Sequence, residues 1–102
     1  MKELKENLIP NSFMLGGSTI TTEITDGKMG KEVGKFIFPE GKIYLANEYN
    51  GYVCSRDYME TSFFHELTHG ILDYMGKHEL SNDEEFVEGF ANMLHQYMKT
   101  KK

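Results

Sequence analysis

The chain has 102 residues, a formal charge of −5, seven Phe, six Tyr and one cysteine, Cys54. The acidic balance disfavours nucleic acid as the main partner, because phosphate binding needs a basic surface. No apolar run approaches membrane-spanning length, and a single cysteine excludes an internal disulfide. The hydrophobic share predicts one folded domain. The charged start, Met1 to Glu6, lacks the apolar centre of a secretory leader, so a reducing cytoplasm is the expected setting.

Residues 1 to 8 alternate charge around Leu4 and Leu8 and predict a short helical turn that Pro10 ends. Ser12 to Leu15, Gly16-Gly17 and Ser18 to Thr25 predict a β-hairpin, the second arm rich in strand-forming Thr and Ile. Asp26 to Glu32 is a loop. Val33 to Phe38 and Lys42 to Ala46 are strands around the turn Pro39-Glu40-Gly41. Asn47 to Cys54 is a polar connection. The first half is therefore expected to be a small antiparallel sheet of three or four strands.

Asp57 to Met75 predicts a long amphipathic helix, with Phe63, Leu67, Ile71 and Tyr74 as its apolar stripe, widened by Phe64 and Met75. Ser55 or Asp57 can cap its start, and Gly76 suits its end. Lys77 to Leu80 is a short linker. Ser81 with Glu84, or Asn82 with Glu85, forms a capping box for a second helix. Phe86, Phe90, Met93, Leu94 and Tyr97 are its expected buried stripe. The fold class expected is α+β.

The chemistry lies in Phe63-Phe64-His65-Glu66-Leu67-Thr68-His69. Residues four apart on a helix share a face. His65 and His69 thus present two imidazoles at a spacing that a tetrahedral zinc ion accepts. They look away from the apolar stripe, with Tyr58, Thr61 and Leu72 beside them. Glu66 lies about 100° round the helix from His65. From there it can reach a water on the metal without ligating the metal itself, the arrangement of metal-assisted hydrolysis.

A catalytic zinc needs a third protein ligand and one open position. The downstream candidates are His78, Glu84, Glu85, Glu88 and His95. Glu84 and Glu85 have roles as capping and dipole residues, and His78 reaches the metal only if the linker folds back. Glu88 is therefore the expected ligand, with Glu84 and Glu85 as alternatives. Asn92, one turn on, is placed to support a ligand histidine. His95 and Tyr58 are candidate proton donors at the cleft. Cys54 reads as a small buried thiol.

His65, Glu66, His69 and Glu88 resemble the gluzincin pattern of thermolysin-like peptidases, H-E-x-x-H followed about twenty residues later by a helical E-x-x-x-D. Asn92 stands where that family has Asp. Glu88, Ala91 and Asn92 also resemble the E-x-x-A-N of ImmA/IrrE-like proteins. The layout from about 12 to 98 is similar to small zincin domains, SprT-like ones included, and to short phage-encoded metallopeptidases. The resemblance implies a minimal zincin with zinc as cofactor, Glu66 as general base and peptides or proteins as substrates. It supplies no residue for the oxyanion stabiliser found further downstream in thermolysin-like enzymes. Two other readings remain: a non-enzymatic, zinc-stabilised interaction domain, and a SprT-like protease acting on DNA-bound protein. Substrate identity and oligomeric state are left open.

Overall fold

The computed structural model describes residues 8–26 and 32–102. The helical turn expected before Pro10 and most of the 26–32 loop lie outside these residues. The fold is α+β, a sheet followed by helices.

Strands β1 (Ser12–Leu15) and β2 (Ser18–Thr25) form the expected hairpin. Gly16 and Gly17 turn it with φ of 58° and 82°, the paired left-handed conformation that twists in step with the strands. Strand β3 (Gly34–Ile37) leads through a 3-10 turn, Phe38–Glu40, and a left-handed Gly41 into β4 (Lys42–Ala46). The four strands lie in the order β1-β2-β4-β3.

The sheet is mixed, where an antiparallel one was expected: β2 and β4 run parallel, from Thr21↔Lys42 to Thr25↔Ala46. The hairpin with β3 fixes the direction of β4. Burial fixes its place, because Ile43 and Leu45 are fully buried beside Ile20 of β2. Each such side chain contributes roughly 1.5–3 kcal/mol on leaving water. β4 is therefore central, and β3 is left at the edge. The connection from Asn47 to Cys54 is itself a small hairpin, β5 (Glu48–Tyr49) and β6 (Tyr52–Val53). Asn50 and Gly51 turn it with φ of 52° and 82°.

Helix α1 (Arg56–Tyr74) starts at Ser55, whose side chain accepts the Tyr58 N–H. It stops at a left-handed Gly76, with Gly76 N–H bonded to Asp73 O and Lys77 N–H to Leu72 O. This double bond closes the last turn and satisfies its free carbonyls. Phe63 and Phe64 are buried, and Leu67 packs against the same cluster; Tyr74 and Met75 of the expected stripe are exposed. Leu72, expected beside the histidines, is buried.

α1 runs in the same direction as β3. Gly34 lies against Glu66, Gly70 against Phe36, and Tyr74 rings with Phe38. Four helical residues advance about 6 Å and two strand residues about 6.7 Å, so the two elements stay in step. Gly70 is where they come closest: a Cβ there would lie 2.3 Å from Phe36 Cε2.

The segment expected as a linker contains a helical turn, α2 (His78–Ser81). Helix α3 (Glu84–Thr100) follows, capped by Asp83, which accepts the Phe86 N–H, and not by Ser81 or Asn82. The face of α3 that packs is one residue round from the expected stripe. Val87 and Ala91 are buried and Leu94 and Met98 half-buried, while Phe86, Phe90, Met93 and Tyr97 are exposed. The reason lies in α1. Its Glu60 is fully buried and accepts from His95 Nε2 at 2.9 Å and from Lys99 Nζ at 3.1 Å. An inward aromatic face would carry His95 and Lys99 away and leave a buried carboxylate unpaired, at a cost of several kcal/mol.

Candidate metal centre

On α1, His65 and His69 are one turn apart, their ring centroids separated by 4.9 Å. On α3, the rotation just described turns Glu84 and Glu88 towards them. His65 Nε2 lies 3.2 Å from Glu84 Oε1, and His69 Nε2 lies 3.4 Å from Glu84 Oε2. One carboxylate thus faces both imidazoles.

The opposite nitrogens are also held. His65 Nδ1 is 2.9 Å from Glu88 Oε1, and His69 Nδ1 is 2.9 Å from Ser81 Oγ. Glu84 and Glu88 both only accept when ionised, so a metal on the Nε2 side requires the His65 proton on Nδ1, towards Glu88. With Nδ1–H likewise donating to Ser81, each Nε2 is turned to Glu84. Ser81 is buried, and Glu88 in turn accepts from Asn92 Nδ2 at 3.5 Å.

A divalent cation fits this set. The donor atoms of His65, His69 and Glu84 lie within 4.8 Å of one another. Ligands at about 2.1 Å from a tetrahedral zinc stand about 3.4 Å apart, close to the nitrogen-to-oxygen spacing found here. Two imidazoles and a carboxylate are a donor set that zinc takes, and a carboxylate on the far nitrogen of a ligand histidine orients the ring and raises its basicity.

Glu66 leans the other way, towards β3, with its Cγ under Gly34. Burial above all pushes its pKa up to about 7; His65 and a hydrogen bond from the Phe36 N–H oppose the rise, and Glu84 and Glu32 add to it. A carboxyl group that changes charge near neutrality is suited to moving a proton. A cleft of about 310 Å³ opens beside it, lined by Val33 and Gly34 of the β3 approach, by Tyr58, Thr61, Ser62 and His65 of α1, and by acidic groups including Glu88.

The other candidates from the sequence fall elsewhere. Glu88 touches the far nitrogen of His65 and is not placed on the Nε2 side. Glu85 is exposed in the first turn of α3. His78 pairs with Asp73 at 3.3 Å. His95 is held by Glu60 and lies 3.5 Å from Thr61 Oγ1. Burial pushes the Cys54 thiol up, and the residue stands apart from the histidines. Asp57, Glu60 and His95 also cluster, but the Lys99 ammonium, 3.1 Å from both carboxylates, already fills the place of a cation.

Ser81, expected only as a capping residue, and Glu84, expected as a capping residue or an alternative to Glu88 as ligand, are the two that the structure brings to the histidines. The signal that could have found Glu84 is its spacing from Glu88. Glu84-x-x-x-Glu88 supplies two acids at the E-x-x-x-D spacing one turn earlier than Glu88-x-x-x-Asn92, which ends in an amide. Comparison of the chain with family models, with curated proteins and with solved structures found no match. No helix among the described residues is long and apolar enough to cross a membrane.

Proposed function

We propose that this protein is a zinc-dependent peptide hydrolase of minimal zincin type. His65, His69 and Glu84 hold the metal, Glu66 is the general base, and Glu88 and Ser81 orient the two histidines. The observation that carries the reading is the convergence of both Nε2 atoms on the two oxygens of Glu84. Zinc in such a site lowers the pKa of a coordinated water to about 7 and polarises a carbonyl.

The chain's own residues supply the rest. Glu66, on the cleft side of the histidines, takes a proton from the attacking water and returns it to the leaving amine. β2 and β3 occupy both edges of β4, so β4 has no edge free to pair with a peptide. The outer edge of β3 is the alternative, since it lies beside Glu66 and offers backbone groups to an extended chain. Tyr58 stands in the same cleft as a donor to developing negative charge. The lone cysteine fits a reducing cytoplasm as the place of action.

The test compares wild type with Glu66→Gln after zinc loading. Both should bind about one zinc per chain, and only wild type should cleave a mixed peptide library, read by mass spectrometry. Equal cleavage by both removes Glu66 from the mechanism. Zinc binding with no cleavage by either leaves a structural metal in an interaction domain.

A further inference from the structure

The cleft beside His65 and Glu66 reaches Tyr58. Tyr58 also lines a second, open hollow of about 480 Å³, with Tyr49, Tyr52 and Val53 of the β5–β6 hairpin as its apolar wall. This hairpin holds large apolar groups out in water: Tyr52 is 78% exposed and Val53 86%. It has its own anchors. Cys54 N–H bonds to Asn47 O, Asn47 N–H bonds to Thr25 O, and the Asn47 side chain bonds to Asp26. The wall is therefore tied to the end of β2 on one side and continues into the cap of α1 on the other.

We propose that this hollow is a specificity subsite, resting on the hydrolase reading, that takes a bulky apolar side chain of an extended peptide substrate. Its occupant follows from its adjacency to the cleft beside His65 and Glu66, since Tyr58 lines both. Its distance follows from the helix. Tyr58 and His65 are seven residues apart on α1, about 10 Å along the axis. An extended chain covers that in about three residues at about 3.3 Å each. The cleft follows α1 from His65 to Tyr58, so in a peptide lying along it the third residue from the scissile bond comes level with Tyr58. A Phe or Leu there is sandwiched between the Tyr58 and Tyr52 rings and the Val53 methyls. Even one methylene more or less in an apolar pocket is worth about ten- to two-hundredfold in discrimination.

The experiment uses the zinc-loaded full chain and decapeptides of Gly, Ala and Ser with one Phe moved through the sequence. Cleavage is mapped by mass spectrometry. The expected result is a cut about three residues from the Phe, always on the same side of it. Tyr52→Ser combined with Val53→Ser should lower kcat/KM for these peptides at least tenfold. Zinc affinity and turnover of the Phe-free background peptide should stay as in wild type. Cuts at scattered distances from the Phe, or equal turnover by the double variant, overturn the subsite. Should wild type cleave nothing, the hydrolase reading fails, and the subsite is decided separately by fluorescence anisotropy. Labelled Phe peptides should then bind the zinc-loaded protein more tightly than Phe-free ones, and the double variant should lose that preference. No preference in wild type overturns it.

Discussion

Single residues divide by how far their neighbours reach along the chain. His65 and His69 were legible because an i, i+4 pair on one helix is fixed by local geometry alone. Glu84 and Glu88 were not, because which carboxylate meets which nitrogen depends on how α3 lies across α1. The two now make different predictions. Glu84→Ala removes a ligand and should cut zinc affinity by orders of magnitude. Glu88→Ala removes only the partner of His65 Nδ1 and should cost about ten- to a hundredfold. A chelator competition titration ranks them, and a larger loss for Glu88→Ala would exchange their roles. Gly70 has a packing role set by contact across elements. A Cβ there meets the Phe36 ring and comes 3.2 Å from Leu15 Cδ2. Gly70→Ala should destabilise the fold by about 1–3 kcal/mol, measured by urea unfolding, despite the better helix propensity of Ala.

Among the elements, the strands and α1 lie close to where hydrophobic alternation and turn residues put them. The hairpin at Gly16-Gly17, the stop at Gly76 and the cap at Ser55 are short-range chemistry, readable without knowledge of the fold. α3 is where that reading failed. Its apolar residues mark a broad stripe from Phe86 to Tyr97, yet the buried face is Val87 and Ala91. Small residues let α3 approach α1 closely, and the polar partners of Glu60 decide the rotation. The misplaced cap has the same origin, since Ser81 is drawn to His69. Asp83→Ala should therefore cost about 1 kcal/mol of stability and leave zinc affinity nearly unchanged. Ser81→Ala should do the reverse, loosening His69 and weakening zinc. Thermal melts and zinc titrations on the same two variants check both; a large stability loss with intact zinc binding in Ser81→Ala would contradict the assignment.

For the molecule as a whole, the clamp between α1 and α3 makes stability depend on pH at both extremes. Burial pushes Glu60 up, but hydrogen bonds from His95, Lys99 and the Leu8 N–H, with the Lys99 charge, outweigh it and hold the carboxyl below its ordinary value of 4.5. Asp57 is held low too, first by its hydrogen bond with Lys99. Groups with lowered folded values stabilise the fold above their unfolded values, and that stability drains away as pH falls through the folded ones. Lys99, bonded to Asp57 and Glu60, is held above 10.5. Its contribution is complete below that value and is lost as pH rises through the folded one. Urea midpoints across pH should therefore fall at both ends, and Lys99→Met should flatten both falls. Glu60→Ala, which strands His95 and Lys99, should cost about 3 kcal/mol at neutral pH.

That clamp also decides what metal arrival means. Glu60 and His95 fix the roll of α3 three helical turns, about 16 Å, from Glu84. In the proposed site the socket is thus assembled by a remote hydrogen-bonded pair, and an ion would enter a finished seat without having to organise one. Far-ultraviolet circular dichroism of chelated and zinc-loaded protein should superimpose. Conversely, Glu60→Gln should weaken zinc binding at long range with every ligand still in place, because α3 is then free to turn its carboxylates out of reach.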